Sequence, residues 1–574
     1  MDEAKGGQGG DESTSMSRFD AVITPICDIR GEGPLAAMAG QVVTLRGVVT
    51  GLSRHGFFIQ NTRPGPVPGI SDALFVFSPK WPAPVGALLE VSGQVQDYVK
   101  QEHGKPATQV RLEDVKVLKK RGPEIKPFEL TADNVPADTT ELAAFLNGLE
   151  CMLVTIAAGQ TFIAPSNPFG DYVVILDAEK PVEGVVRTAQ GGVLVEHQNP
   201  LRWYPGFRIH DYGMAPRVNV GAKLLSRVTG PLNYRVEAFQ VAVSHPIEIE
   251  NHDIPWYVSR LQAEAGHLTI MTMNGFNLDQ HVESPDKVQN PGIDIDDDWG
   301  DGRFLTLARA VVDQANVPDI VALQEIQDND GAEISEVVDA SATYEGLVRV
   351  IRKLCGTGYL WVDIPPGVGA DGGQPGGSIR NGFLYNPDRV GMLEDSVGLI
   401  GADDPAFIDS RKPLIVHFRE KTTGRVLACI NVHLASKRHQ FSVFAPERPG
   451  FDARLPVRVR QAEIIGEHLA SLRRAGLDYY VTGDFNDTEE SETLAALVDE
   501  HNVNLVKTLP ADQRYDYNHR GKLQVLMHGI VSRRLAGNHA KYEIIHGNEL
   551  LGIQPGKTTD KPSDHAYVLA KIRL

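Results

Sequence analysis

Cysteine is scarce: the chain has four in 574 residues, Cys27, Cys151, Cys355 and Cys429. They are too far apart for metal-ligand spacing, so they are expected as reduced core thiols rather than a zinc site or disulfide framework. Positive charge is also in deficit. Lys and Arg total 56 against 74 Asp and Glu, a net charge of −18. Such a chain does not bind nucleic acid indiscriminately through its overall charge. A nuclease is not excluded, because a bound metal inverts the local charge. No apolar run is long enough to span a membrane. Met1 to Ser17 is rich in Gly, Ser and acid and lacks the basic-then-apolar order of a signal peptide, so residues 1–18 are expected as a disordered leader, with Met16 an alternative start.

What is present is a soluble globular composition, 42% hydrophobic and 23% charged, in a chain long enough for several domains. Residues 19–122 carry short alternating runs punctuated by Gly, including Gln41 to Thr50, Phe57 to Gln60, Gly86 to Val95 and Gln109 to Val117. Five such strands predict a small barrel. Arg54, His55, Phe57 and Phe58 are its candidates for contacting a single strand, although both rings suit a core equally well. Residues 123–245 repeat the texture loosely and predict a second barrel, with Trp203, Tyr204 and Arg208 read as packing rather than a surface patch. Residues 246–265 read as a linker.

From 266 to 574 strands alternate with helices, which predicts an α/β fold. Polar clusters stand at the C-terminal ends of its strands, where open sheets bind ligands. Asn274 and Asn277 follow the first strand and Glu325 the second. Asn431 and His433 end a central strand, Ser563-Asp564-His565 precedes the last, and Tyr480 to Asp487 ends in Gly483-Asp484-Phe485-Asn486. Residues i and i+2 of a strand share a side, so Asp484 and Asn486 project together. They form either an Asx turn or one wall of a cleft. The run Asp294-Ile-Asp-Asp-Asp298 reads as a solvated loop, with a cation site as the minority alternative.

These motifs, Asn274-Gly-Phe-Asn277, Gln324-Glu325, Asn431-Val-His433, Gly483-Asp-Phe-Asn486 and Ser563-Asp-His565, resemble in order and spacing the endonuclease/exonuclease/phosphatase superfamily, the fold of deoxyribonuclease I. The whole chain resembles a multidomain bacterial extracellular nuclease branch with N-terminal oligonucleotide-binding barrels. The resemblance implies a four-layer αββα sandwich and hydrolysis of phosphodiesters in nucleic acid, DNA before RNA. It implies dependence on Mg²⁺ or Mn²⁺, with Ca²⁺ as a further structural ion. Matched positions make Glu325, Asn274 and Asp564 the metal ligands. Asp484 and Asn486 activate the water, His565 is general base or phosphate-polarising group, and His433 steadies the transition state. Asn277, Arg380, Tyr385 and Asn431 contact substrate, with Arg411, Lys412, Lys437 and Arg438 as a basic rim. The alternatives are a weakened nuclease that only binds nucleic acid and a phosphatase on a nucleotide or inositol phosphate. The resemblance suggests secretion, whereas the missing signal peptide suggests a cytoplasmic or mature form.

One position departs from the family. Its members carry an acidic residue that orients the catalytic histidine, where Val525-Leu-Met-His-Gly-Ile-Val531 has Met527. The reading favoured here is a slow nuclease with a poorly held His565. The rival is that Asp516, in Tyr515-Asp-Tyr517, supplies the carboxylate.

Overall fold

The structure, a computed structural model, describes residues 22–62, 69–80, 84–99, 104–195, 199–438, 440–557 and 560–574. The expected leader, 1–18, lies outside the described residues. The chain divides into two compact units. The first takes in the described residues up to Val99 with Pro106–Lys126 and Leu146–Leu153, and the second holds Pro127–Phe145 and Val154–Leu574.

In the first unit, β1 (Val42–Ser53), β2 (Gly56–Gln60), β3 (Ala73–Phe77), β4 (Leu88–Tyr98) and β5 (Ala107–Lys119) close into a barrel of order β1-β2-β3-β5-β4. Alternate residues, among them Val43, Leu45, Phe57, Ile59, Leu89 and Val91, fill it. Phe57 and Phe58 are both fully buried, and Phe58 packs on Phe75 at 5.0 Å. Neither ring has a face free for a base.

The expected second barrel is not formed. The next strands are β6 (Phe128–Leu130), β7 (Leu153–Ile156), β8 (Thr161–Phe162), β9 (Asp171–Ile175), β10 (Gly206–Ile209), β11 (Lys223–Leu224), β12 (Val228–Arg235), β13 (Ala238–Val243) and β14 (Ile249–Glu250). They make one nine-stranded sheet of order β14-β11-β8-β9-β10-β13-β12-β7-β6. Alternation in sequence predicts strands but not their closure, and two- and three-residue strands supply too few ladder bonds to seal a barrel. Trp203, Tyr204 and Arg208 are buried, as packing residues.

The remaining strands are β15 (His267–Leu278), β16 (Ile320–Ile326), β17 (Leu360–Asp363), β18 (Arg380–Tyr385), β19 (Val390–Leu399), β20 (Leu414–Glu420), β21 (Val426–His433), β22 (Asp478–Asp484), β23 (Asn502–Asn504), β24 (Tyr517–His519), β25 (Lys522–Gln524), β26 (Met527–Ser532), β27 (Lys541–Ile545) and β28 (Tyr567–Arg573). Two six-stranded sheets, β17-β18-β16-β15-β28-β27 and β19-β20-β21-β22-β26-β23, stack face to face. The period of two explains the layers. On β21, Leu427 and Cys429 enter the core between the sheets, while Ala428, Ile430 and Val432 face the helix Leu455–Arg474. On β15, Leu268 and Ile270 face the other sheet, while Met271 and Met273 face the helices Arg303–Arg309 and Ser341–Cys355. The central strands are apolar on both faces because both are covered. The result is the expected four-layer αββα sandwich. All four cysteines are free thiols.

Candidate active site

Polar ties cross the sandwich near one end. Thr272 and Thr482 join their hydroxyls at 2.5 Å. Asn431 donates to the Leu323 and Gly382 carbonyls at 2.8 and 2.9 Å and accepts from Gln324 at 2.6 Å. Beyond these ties the strand ends bring Glu325, His433, Asp484 and His565 together.

Each side chain there is aimed by local backbone. β15 and β16 run parallel in register as far as Asn274 and Gln324, where the pairing slips before resuming at Leu278 and Ile326. Phe276, Asn277 and Glu325 take left-handed φ angles of 56°, 58° and 53° across the slip. Such angles are costly for residues with a Cβ and mark backbone held for a purpose. On the other sheet, His433 and Asp484 are register partners on parallel β21 and β22. Gly483, at φ 135°, is obligatory, because a Cβ there would lie 1.9 Å from the Val432 carbonyl oxygen. Asp484 realises both sequence readings at once. One oxygen accepts the Asn486 N–H at 2.8 Å as an Asx turn, and the other lies 3.6 Å from Nε2 of both His433 and His565.

The carboxylates and imidazoles set each other's charge. Burial raises the Asp484 pKa to about 6, against the pull of His565. Burial and Asp564 raise Glu325 to about 7. His433 lies 3.8 Å from Glu325, yet burial, Arg411 and His565 hold it well below its ordinary value, so it is neutral. For His565 burial works against the charged form, but Asp564, Asp484 and Asp516 outweigh it and hold the pKa up at about 10.

Asp516 answers the Met527 question. His565 Nδ1 pairs with one Asp516 oxygen at 2.9 Å, while the other accepts the Leu526 and Met527 N–H groups at 2.8 Å each. The ring of Tyr517 stacks on His565 at 4.8 Å and 27°. The expectation of a poorly held His565 is therefore overturned. Met527 is a fully buried core residue, and the orienting carboxylate comes from the segment just upstream.

Three of the residues expected to contact substrate lie inside the protein. Asn431 sits one pleat deeper than His433, fully buried, with its amide committed to the opposite sheet. Arg380 is 2% exposed and donates to Ser378, Val338 and Asp363. Tyr385 packs on Phe418 at 5.5 Å inside the core. Asn277 stays half-buried at the slip. Asn486 donates to the Leu434 carbonyl at 3.0 Å and so braces the turn.

The basic rim is mostly spoken for: Lys412 pairs with Asp371, Lys437 with Asp487, and Arg438 donates to the Gly373 carbonyl. Arg411 lies inside the site instead. It is 6% exposed, and its neighbours include Glu325 and Asp484. Tyr517 was missed altogether; its only sequence signal was adjacency to Asp516.

The donor set suits a hard divalent ion. Asp564 Oδ1 is buried and accepts no hydrogen bond among the described residues. Glu325 leaves 19% of its side chain open, and Asn274 Oδ1, which accepts the Phe276 N–H at 2.7 Å, keeps a second lone pair.

Residues 296–521 match the Endonuclease/Exonuclease/phosphatase family, and residues 133–251 match a domain of unknown function, DUF8508. No curated protein matches the chain significantly. Solved structures similar to it include D. rerio TDP2 complexed with single strand DNA product, at 15% identity over 54% of this chain and 99% of that one, TM-score 0.34. An endonuclease/exonuclease/phosphatase from Bacteroides vulgatus is 16% identical over 54% and 99%, TM-score 0.33. The human Nocturnin catalytic domain with bound sulfate anion is 15% identical over 54% and 95%, TM-score 0.35. The match over residues 296–521 supports placing the α/β domain in the endonuclease/exonuclease/phosphatase superfamily, whose members are generally hydrolases of phosphodiester bonds.

Proposed function

We propose that this chain is a divalent-metal-dependent phosphodiesterase that cleaves nucleic acid, with DNA preferred over RNA. The observation that carries the reading is the line Asp516–His565–Asp484, a held imidazole facing a carboxylate with one free oxygen. Glu325, Asp564 and Asn274 are the residues that would hold Mg²⁺ or Mn²⁺, which supplies positive charge against a phosphoryl oxygen when bound. Asp484 has one oxygen fixed by Asn486 and the other free to take a proton from water. A carboxyl pKa of about 6 matches that task near neutral pH. Asp564, Asp484 and Asp516 favour the protonated ring of His565, which suits donation from Nε2 to a phosphoryl oxygen. Neutral His433 offers a further donor without adding charge, and Arg411 adds a buried cation. The N-terminal five-stranded barrel, an architecture used for oligonucleotides, supports a polymeric substrate. The preference for DNA comes from the family resemblance alone.

The test is hydrolysis of plasmid, linear DNA and RNA with Mg²⁺ or Mn²⁺ and after chelation. Activity is expected only with the ion, and full activity after exhaustive chelation would sink the reading. Glu325→Gln and Asp484→Asn are each expected to slow the reaction at least about a hundredfold.

A further inference from the structure

His565 is held by a hairpin that cannot hold itself. β24 and β25, three residues each, form a two-stranded sheet joined to neither sheet of the sandwich. An isolated pair of that length is marginal in water. Yet this hairpin and its base deliver three of the contacts that fix His565. Asp516 takes Nδ1, Tyr517 stacks on the face, and the Asp516 carbonyl accepts the Ala566 N–H at 2.7 Å.

Apart from the Leu526 and Met527 N–H groups that hold Asp516, its anchors lie in the segment that matches the domain of unknown function. Leu523 N–H donates to the Val193 carbonyl at 2.7 Å, and Val195 N–H donates back to the Leu523 carbonyl at 2.9 Å. Leu194 and Leu523, both fully buried, share an apolar cluster with Val220, Tyr515 and Leu550. Three polar ties finish the clamp: Asn518 to the Ile163 carbonyl at 2.9 Å, Arg520 to Val236 at 2.7 Å and Lys522 to Pro200 at 2.6 Å. The chain leading to Ser563-Asp564-His565 is stitched to the same segment. Ile553 N–H donates to the Ser166 carbonyl at 2.7 Å, and Ser166 Oγ donates to the Ile553 carbonyl at 2.8 Å. Both chain segments that place His565 thus end on residues 163–236.

We propose that the nine-stranded middle domain is part of the catalytic centre, with Leu194 as the positioning residue that seats the β24–β25 hairpin and so fixes Asp516 and Tyr517 on His565. The middle domain has a defined job under this assignment: it sets the geometry of the imidazole without touching substrate. The proposal rests on the reading of His565 as catalytic, and the experiment separates the two.

The full chain is compared with Leu194→Ala, with Leu194→Met, which nearly conserves volume, and with Gly192→Val, whose Cβ would lie 2.3 Å from Leu523 Cδ1. Hydrogen exchange is read by mass spectrometry, and turnover is read on a short phosphodiester with the divalent ion. Exchange is expected to quicken at 513–527 and 563–567 in Leu194→Ala and Gly192→Val, but not in β15 or β22. Their kcat is expected to fall about tenfold to a hundredfold, the scale of an ångström-level misplacement, with KM within about twofold. Leu194→Met is expected to recover most of the loss. Quickened exchange with kcat unchanged overturns the proposal, as does unchanged exchange at 513–527 in both disruptive variants. If the parent hydrolyses nothing, the functional reading fails by itself. The exchange data then decide: local quickening supports the seating of the hairpin by Leu194, and its absence overturns it.

Discussion

Asp516 and Met527 show how a residue's role depends on where its backbone arrives, not on its place in a motif. The family position held by Met527 points into the core between the sheets, and its N–H donates to Asp516. A carboxylate beside a catalytic imidazole fixes the tautomer and supports the protonated ring; in a serine protease, converting it to the amide costs about 10⁴ in rate. Asp516→Asn should therefore lower kcat about a hundredfold or more, while Met527→Leu should leave it within about threefold, since volume-conserving core changes are mild. Comparable effects of the two in steady-state kinetics would reject the assignment. Met527→Asp should bury an unpaired charge beside Asp516 and lower the melting temperature by about 5 °C or more. The strand-end residues Asn274, Glu325, His433, Asp484 and His565 come together because motif spacing tracks the pleat. Asn431 lies deeper than His433 because i and i+2 share a side but not a depth. The same motif therefore contains one residue beside Glu325 and Asp484 and one inter-sheet tie.

At the scale of an element, the stretch from 279 to 298 departs most from its sequence reading. A run of aspartates reads as solvated, yet Asp294 and Asp298 are buried, as are Asp279 and Glu283. Arg303 is the reason: its guanidinium pairs with Asp298 and donates to the Gly275 and Phe276 carbonyls at 2.6 and 2.7 Å, drawing the loop inward. One arginine does not balance the group. Oxygens of Asp279, Glu283 and Asp296 lie within 4.8 Å of one another. Burial, then the neighbouring acids, raise Asp279 to about 9; burial and Asp298 raise Asp296 to about 7. A carboxyl whose folded pKa lies above its unfolded value binds its proton more tightly when folded. Its burden on stability is absent below about pH 4 and grows until the folded pKa is passed. Asp279→Asn, melted in chelator, should thus raise the transition temperature, and more at pH 8 than at pH 5. An equal gain at both values, or a loss at pH 8, would show that the charge is balanced by something else.

At the scale of the molecule, the sequence made the sandwich plain and its dependence on the middle segment invisible. Helix and strand periodicities describe each element against its own core. They say nothing of Val193 or Leu523, whose partners lie more than 300 residues away. The chain nevertheless gathers 154–574, the interval 246–265 included, into one compact unit. A fragment of residues 260–574 keeps every motif that suggests a nuclease, and on sequence grounds it should fold and cleave alone. The structure predicts otherwise. Without the middle segment, Leu523 and Leu550 lose the apolar partners Leu194 and Val220, and the hairpin loses both its ladder bonds to Val193 and Val195. The sandwich core, built between its own sheets and helices, keeps its contacts. The fragment should therefore show a folded circular dichroism spectrum but rapid protease cleavage within 513–527. On a small diester such as bis(p-nitrophenyl) phosphate, which needs no polymer contacts, its kcat should fall at least about tenfold below the full chain, the cost of a loosened catalytic group. Equal kcat on that substrate would show that the sandwich orients His565 unaided and that the middle segment serves only longer substrates.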